Sequence, residues 1–196
     1  MSNATTPTVK PARRLLDLES RPLAWRAGAV ILGTLFLTAS SYISVPMVPV
    51  PITMQTFAVM LVGALYGWRL GGITITAWLI QGALGMPVLS GGAAGAHHFV
   101  GPTAGYLFAF PIAGVLVGWL AERGWNGNRV GLAFVNMLLG NVICLAFGAA
   151  WLAATIGLEQ AIMHGVTPFL VGAVLKSALG AATLKALTCG GRRLAG

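Results

Sequence analysis

Six long apolar runs, separated by short connections, dominate the amino-acid sequence. They extend over Leu23–Ser44, Ile52–Gly67, Leu70–Gly85, Thr103–Ala121, Val130–Ile156 and Thr167–Leu187. Apolar runs that approach 20 residues are typical of helices that cross a membrane. The pattern therefore predicts an all-α integral membrane protein with six transmembrane helices. We expect one membrane domain over residues 23–190, with tails at residues 1–22 and 191–196.

The second and third runs are short for a hydrocarbon core that is about 30 Å thick. Only Trp68 and Arg69 separate them. Two arrangements remain open for this region, which are a tight hairpin of two helices and a pair of segments that pass only part of the way through the membrane.

The basic residues predict an orientation. Lysine and arginine occur at or near both termini and in the second and fourth connections, as Lys10, Arg13, Arg14, Arg21, Arg26, Arg69, Arg123, Arg129, Lys185, Arg192 and Arg193. The first, third and fifth connections contain neither residue. Because cytoplasmic loops are enriched in lysine and arginine, this distribution predicts six helices with both termini in the cytoplasm.

Composition excludes a soluble domain. Hydrophobic residues make up 57% of the chain and charged residues 8%, with a formal net charge of +8, whereas soluble domains carry about 25% charged residues. The positive charge lies in the tails and short connections, so it indicates membrane orientation and no nucleic-acid partner. The first apolar run is long enough to span and lacks a convincing cleavage site. We therefore expect a retained helix and not a signal peptide.

Two connections on the predicted outer face differ from simple turns. Val45–Pro51 contains three prolines, and the longer segment Met86–Pro102 is apolar and rich in glycine. Irregular backbone does not face lipid, because its amide groups would lack hydrogen bonds there. We therefore expect these segments to pack on protein or to line a cavity, and we place a binding site beneath them.

Lys176 lies inside the last apolar run, about 12 Å along a helix that begins near Thr167. A charge at the centre of a membrane helix costs about 2.5–3.5 kcal/mol on insertion scales and is normally paired or functional. The acidic residues Asp17, Glu19, Glu122 and Glu159 all lie outside the apolar runs. Two explanations remain open: a ligand group interacts with the ammonium, or the side chain reaches the outer interface or Glu159.

Other polar residues near the outer face are further candidates for a binding site. Thr53 and Gln55 lie at the start of the second run, and Asn141 lies within the fifth. Hydroxyl and amide side chains that face a cavity can hydrogen-bond a polar ligand. Helix capping and contacts between helices are alternative explanations for the same residues.

The sequence predicts neither catalysis nor a metal site. His97 and His98 are adjacent, and on an extended stretch their side chains would point in opposite directions, so one metal ion would need further ligands. Cys144 and Cys189 lack metal-ligand spacing and are interpreted as inert thiols. The chain also lacks HExxH, GxSxG and GxxxxGK[ST] motifs. We therefore expect no enzyme, and ATP would have to be bound by partner chains.

Two motifs on the predicted outer face are more specific. One is Pro49-Val-Pro51-Ile-Thr53-Met-Gln55-Thr56-Phe57, and the other runs from Gly85-Met-Pro87-Val through Gly91-Gly92 to Gly101-Pro102-Thr103-Ala-Gly105-Tyr106. In these motifs the chain closely resembles the BioY family of biotin transporters, which are the substrate-binding (S) components of energy-coupling factor (ECF) transporters. The resemblance covers about residues 23–187.

The resemblance implies an S-component fold in the bacterial inner membrane, with biotin as the substrate and no cofactor. It implies a transmembrane T subunit and two ABC-type ATPases as partners, or a homo-oligomer where the S component acts alone. The substrate-binding residues expected on this basis are Thr53, Gln55, Gly91, Gly92, Tyr106, Asn141 and Lys176. An S component for another vitamin or small amphipathic molecule is the alternative, and an intramembrane enzyme is a remote one.

One residue departs from the family pattern. The last helix of the family usually opens with Gly-Asp-x-x-Lys, and here Gly172 and Lys176 match while Ala173 occupies the aspartate position. The acid that would lie about one turn from the lysine is therefore missing. Either Lys176 is more available to an anionic or carbonyl group of the ligand, or the affinity is altered.

Overall fold

The protein is mainly helical in the part of the chain that the computed structural model describes, residue 18 and residues 21–193, with side chains up to residue 190. Its helices are α1 (Leu23–Tyr42), α2 (Gln55–Ala83), α3 (Ala104–Glu122), α4 (Val130–Ile156), α5 (Leu158–Gly165) and α6 (Thr167–Arg193). Strands β1 (Ser44–Val45) and β2 (Ile52–Thr53) pair in antiparallel fashion. Within these residues, five helices are long and apolar enough to cross a membrane. The helical membrane fold is confirmed, and most of the predicted tails lie outside the described residues.

The element boundaries agree with the apolar runs in most places. The predicted limits of α4 match, and α6 begins at Thr167 as expected but continues to Arg193. The fifth connection, between the fifth and sixth apolar runs, contains the short helix α5. This helix buries Ala161 and Gly165 and exposes Glu159 and His164. Its eight residues are too few to give a reliable helical period in a sequence.

The second and third apolar runs form a hairpin. α2 consists of two helical arms that meet at Gly67. This residue has φ 78° and ψ 173°, which is not a helical conformation and favours glycine. A Cβ atom added to Gly71 would lie 3.0 Å from the Cα atom of Gly63. In a straight helix these two residues would be about 12 Å apart. The chain therefore reverses direction at Gly67, as in the hairpin alternative.

Close backbone contacts hold this hairpin against α3. A Cβ atom on Gly118 would lie 2.6 Å from the backbone nitrogen of Trp68, and one on Gly63 would collide with the carbonyl oxygen of Gly114. The backbone N–H of Trp68 donates to Oε1 of Glu122 over 3.3 Å. The hairpin turn and the C-terminal end of α3 thus form one end of the molecule, which we call the hairpin end.

The hairpin and α3 form the centre of the helix assembly. In the most apolar window of each helix, 72% of α2 is buried, compared with 28% of α1 and of α6. Large side chains such as Trp78, Met60 and Ile75 are fully buried in this centre. The outer surfaces of α1 and α6 instead expose leucine, valine and isoleucine, as is expected of a surface that faces lipid.

The segment Met86–Pro102, which we call the cap segment, lies at the opposite end of α3. It contains two short 3-10 turns, Ser90–Gly92 and Ala96–Phe99. The carbonyl oxygen of Val88 accepts hydrogen bonds from Ser41 Oγ (2.7 Å) and Trp78 Nε1 (3.1 Å). Farther along, Trp151 Nε1 donates to the carbonyl oxygen of Gly101 over 3.0 Å. These bonds connect the cap segment to α1, α2 and α4, so its irregular backbone packs on protein as predicted.

Candidate functional site

A cavity of about 420 Å³ lies beneath the cap segment, at the end of the molecule that we call the cavity end. Its volume falls within the range of about 300–1,000 Å³ that is usual for small-molecule sites. The wall contains residues from the β1–β2 connection, the start of α2, the cap segment and the start of α3. The middle of α4 and the first turns of α6 complete it. Both outer connections that the sequence singled out therefore line the cavity.

Five polar side chains in the wall form what we call the polar cluster, made up of Thr53, Gln55, Thr56, Asn141 and Lys176. The ammonium of Lys176 donates to the carbonyl oxygen of Thr53 over 2.5 Å and to Oγ1 of Thr56 over 3.3 Å. Both acceptors are neutral, and no carboxylate is among the lining residues. One explanation for Lys176 was a pair with Glu159. The hydrogen bonds of Lys176 among the described residues do not include one to Glu159. The ammonium is thus the one cationic amine in the wall and lacks a counter-ion there.

Gln55 places an unsatisfied donor in the cavity wall. Its side-chain oxygen accepts a hydrogen bond from Thr53 Oγ1 (3.0 Å), and the residue is 5% exposed. Its Nε2 atom is buried and has no hydrogen-bond partner. A buried donor without an acceptor costs about 1–3 kcal/mol. Because Gln55 lines the cavity, a rotation of its side chain would present this donor to an acceptor oxygen of a ligand, which would recover that free energy.

Asn141 contributes the complementary group. Its Nδ2 atom donates to the carbonyl oxygen of Met137 (3.0 Å) and to Ser177 Oγ (3.2 Å). The carboxamide oxygen is then the atom that is left to accept a hydrogen bond from a ligand. Asn141 lines the same cavity as Gln55 and Lys176, so its wall contains an acceptor as well as donors.

The rest of the wall is largely apolar. Tyr106 donates its hydroxyl to the carbonyl oxygen of Gly165 over 2.7 Å, and its ring stacks on that of Phe169 with centroids 6.1 Å apart. Leu107, Phe110 and Leu145 line the same space. The arrangement suits an amphipathic ligand whose apolar body carries a polar group at the cluster.

His97 and His98 line the cavity from the cap segment. Their ring centroids are 4.1 Å apart, because a 3-10 turn places the adjacent side chains side by side. The expectation that they point in opposite directions, made for an extended stretch, was wrong. Burial, and secondly the neighbouring His97, lower the pKa of His98 below its ordinary value. In the part of the chain that the structure describes, no group of three or more metal-ligating side chains occurs.

The comparison with protein families identifies the relatives of this chain. The model of the BioY family matches residues 13–192, which is more than nine-tenths of the sequence. The chain belongs to the BioY family. This membership agrees with the resemblance found in the two motifs.

Named BioY proteins are similar over most of their length. The chain is 38% identical to the probable biotin transporter BioY of Pyrococcus horikoshii over 156 residues, which are 78% of this chain and 91% of the relative. It is 36% identical to the biotin transporter BioY of Rhizobium etli over 156 residues, 76% of this chain and 83% of the relative. The match thus extends over nearly the whole of the relatives.

A solved structure shares the fold. The 2.1 Å crystal structure of the S component for biotin from an ECF-type ABC transporter superposes with a TM-score of 0.75 and 26% sequence identity. The alignment covers 86% of this chain and 95% of the other. The BioY chain described here therefore has an ECF S-component fold.

The structure brings together five of the seven residues expected at the site. Thr53, Gln55, Tyr106, Asn141 and Lys176 all line the cavity of this BioY chain. Gly91 and Gly92 do not line it, although the flanking Ser90 and Ala93 do. Both glycines have positive φ, of 64° and 83°, and a Cβ atom on Gly92 would lie 3.1 Å from the Tyr42 hydroxyl oxygen. Their part in substrate binding remains a prediction.

Sequence reasoning missed other residues of the wall. Cys144 was interpreted as an inert thiol, and it is buried with its side chain in the cavity wall. His97 and His98 were weighed only as metal ligands. Their position in an apolar, glycine-rich segment above a predicted binding site could have indicated that they line the cavity. Ala173, which replaces the family aspartate, also lines the cavity and is 7% exposed.

Proposed function

We propose that this protein is the biotin-binding subunit of a vitamin uptake system and captures biotin in the cavity beneath the cap segment. The observation that carries the proposal is the polar cluster, which places two donors and one acceptor at one side of an otherwise apolar cavity. The relatives named as biotin transporters and the S component for biotin support the same substrate.

The polar cluster is complementary to the ureido group of biotin. A urea carbonyl accepts hydrogen bonds, and the unsatisfied Nε2 of Gln55 and the ammonium of Lys176 are donors. A urea N–H donates, and the free oxygen of Asn141 is an acceptor. A carboxylate could use only the donors. The ureido ring therefore lies at the polar cluster, and the bicyclic body packs against Tyr106 and Phe169.

We further propose that the chain crosses the bacterial inner membrane six times, with both termini in the cytoplasm. The reversal at Gly67 turns α2 into two arms. Arg69 and Arg123 then lie at the hairpin end, where each guanidinium lies over a tryptophan ring. The cap segment at the other end contains no lysine or arginine. The positive-inside rule places the hairpin end in the cytoplasm and the cavity at the outer face.

The partners proposed for this subunit are a transmembrane T subunit and two ABC-type ATPases, or further copies of the chain. The sequence contains no GxxxxGK[ST] motif, so a partner must hydrolyse any ATP that drives transport. Uptake of biotin into proteoliposomes, with the chain alone and with T and ATPase subunits, separates these two modes.

The binding experiment uses the purified chain in lipid nanodiscs. Calorimetry should show saturable binding of one biotin, and unlabelled thiamine or riboflavin should not compete. Lys176→Ala should lose binding while the protein still inserts in the membrane, because the ammonium and its bonds to the start of α2 are removed. Lys185→Ala is the matched control, since this lysine lies on the same helix but is exposed and outside the cavity wall.

Two results would count against the proposal. Saturable binding of another vitamin in place of biotin would assign the chain to the alternative S component. Equal affinities of the Lys176→Ala protein and the unmodified protein would remove Lys176 from the site.

A further inference from the structure

The histidine pair, His97 and His98, is a polar feature of the cavity wall that the proposed function does not use. Both residues line the cavity, and both belong to the 3-10 turn Ala96–Phe99 of the cap segment. Their rings are in contact, with centroids 4.1 Å apart and an angle of 40° between the planes. His97 is exposed and His98 is half-buried, so the pair lies where the cavity meets solvent.

The surroundings of the pair contain no acid that would neutralise it. The 3-10 turn packs against α2 and α3, and α4 and α6 contribute to the same cavity wall. The titratable residues that these elements place in the wall are Tyr106, Cys144 and Lys176. None of them is a carboxylate. A proton gained by the histidine pair would thus remain an uncompensated positive charge unless a ligand supplied an anion.

We propose that His97 and His98 form a binding subsite for the carboxylate of the ligand. This inference rests on the proposed function, because biotin carries one carboxylate at the end of its chain, away from the ureido ring. With the ureido group at the polar cluster on α2, α4 and α6, the chain extends toward the other wall, which the cap segment forms. Each imidazole can donate an N–H to a carboxylate, and the bond is strengthened when the ring is protonated.

The subsite makes binding depend on pH with a definite sign. Burial, and next the positive form of His97, keep the pKa of His98 below its ordinary value, so His98 of the free protein is mainly neutral near pH 7. A bound carboxylate raises the pKa of an imidazole beside it. Binding therefore takes up a proton, and the affinity increases as the pH falls through the range between the free and bound pKa values. The ligand remains ionised down to about pH 5.5, since carboxylic acids ionise near pH 4–5.

The test compares affinities for biotin and for biotin methyl ester, measured by calorimetry on the full chain in nanodiscs between about pH 7.5 and pH 5.5. Biotin should bind about fivefold to tenfold more tightly at the lower pH. The ester, which keeps the ureido ring but has no charge, should change by less than about twofold. The ester thereby also controls for protonation of the lysine, cysteine and tyrosine in the wall.

Three variants make the assignment specific. The double variant His97→Gln/His98→Gln should bind biotin with an affinity that no longer changes over this pH range. His164→Gln, the substitution of the remaining histidine, which is exposed on α5 and outside the wall, should keep the full change. Ala173→Asp, combined with the intact histidine pair, should reduce it, because a carboxylate in the wall would compensate part of the positive charge. Unchanged affinity of the double variant for the methyl ester shows that the cap segment is still folded.

The possible outcomes separate this inference from the proposed function. If biotin binds and its affinity does not change with pH, or changes equally in the double variant, the carboxylate subsite is wrong and the proposed function stands. If the ester shows the same pH dependence as biotin, the titrating group acts on another part of the ligand and the subsite is again wrong. If biotin does not bind at any pH, both conclusions are rejected.

Discussion

Glycine has opposite effects on packing at the two ends of the molecule. At the hairpin end, glycines bring the backbones of α2 and α3 together until almost no space remains, as at Gly63, Gly114 and Gly118. At the cavity end, glycines and prolines keep the connecting segments irregular, and a space of about 420 Å³ lies beneath them.

The hydrogen-bond partners of polar groups also differ between the two ends. At the hairpin end, the carboxylate of Glu122 accepts a hydrogen bond from the Trp68 amide that the chain reversal exposes. At the cavity end, Gln55 retains a buried donor without an acceptor, and Lys176 is held by neutral oxygens. Buried polar groups are normally satisfied, yet Oδ1 of Asn136, beside Val117 and Trp125 near the hairpin end, also lacks a partner. Gln55 and Lys176 differ from Asn136 because they line an open space, where a ligand can complete their hydrogen bonding.

The largest effect is expected from filling the close contact at the hairpin end. In Gly118→Ala the new methyl group would lie 2.6 Å from the Trp68 nitrogen and 2.7 Å from the Gly67 carbonyl carbon, which are backbone atoms that cannot move aside. We expect a loss of about 1–3 kcal/mol in the free energy of unfolding. The measurement is thermal unfolding of the purified protein in detergent.

Gly131→Ala is the matched control for this prediction. The substitution is the same, but a methyl group at this position of α4 would have no neighbour within 4 Å. Because alanine favours the helix by about 0.5–1 kcal/mol over glycine, the control should be slightly stabilised. Equal effects of the two substitutions would contradict the tight packing described for the hairpin end.

Gln55→Met should affect affinity much more than stability. The variant loses the donor to the ligand, and we expect biotin to bind about 10-fold to 100-fold more weakly. It removes the unsatisfied Nε2 atom but also takes the acceptor from the Thr53 hydroxyl, so the free energy of unfolding of the ligand-free protein should change by less than about 1 kcal/mol. Calorimetry and thermal unfolding without biotin measure the two effects. A variant that loses stability and keeps its affinity would show that Gln55 serves packing alone.

Ala173→Asp should sharpen the role of the missing acid. Residue 173 lines the cavity about one turn from Lys176. A carboxylate there would offer a charge-assisted acceptor to the ureido N–H groups, and we expect biotin to bind about threefold to tenfold more tightly. Ala173→Asn, which has nearly the same shape and no charge, should have a smaller effect. Identical affinities in all three proteins would mean that the substitution of the family aspartate is without consequence for binding.

The smallest effect is expected in the cap segment. Trp151→Phe removes the hydrogen bond to the Gly101 carbonyl oxygen but keeps an aromatic ring near Phe108. An exposed hydrogen bond contributes about 0.5–1.5 kcal/mol, so the dissociation rate of biotin should rise about twofold to threefold. Stopped-flow measurement of release tests this. A tenfold or greater increase would mean that this bond, and not the anchors at Val88, holds the cap segment.

The sequence predicted the parts of this structure that follow from local pattern. Long apolar runs predict the limits of a helix where local sequence determines them, as at α4. A charge inside such a run identified Lys176 as a candidate for the binding site. The hairpin was one of two alternatives, because two short runs joined by Trp68 and Arg69 have few other conformations. The prolines and glycines of two connections predicted irregular segments that line a cavity, since irregular backbone needs protein contacts within a membrane.

The remaining features depend on contacts between distant parts of the chain. The ammonium of Lys176 bonds to the Thr53 carbonyl oxygen, which is 123 residues earlier in the sequence. The side-by-side histidines require a 3-10 turn that the cap segment adopts through its bonds to α1, α2 and α4. The periodicity of the sequence does not predict either arrangement. The alanine at position 173 shows that the family aspartate is absent, but it does not indicate which neutral oxygens bind Lys176 instead.

The most direct test of the central claim, that the polar cluster receives the ureido group, is a competition measurement on the unmodified chain with three ligands. In 2-iminobiotin a guanidinium-like group replaces the urea, so its donors and positive charge would meet the donors of Gln55 and Lys176. We predict that 2-iminobiotin binds at least about 100-fold more weakly than biotin near pH 7.5, whereas biotin methyl ester loses less than about 10-fold. A larger loss for the ester than for 2-iminobiotin would place the carboxylate at the polar cluster and contradict this account.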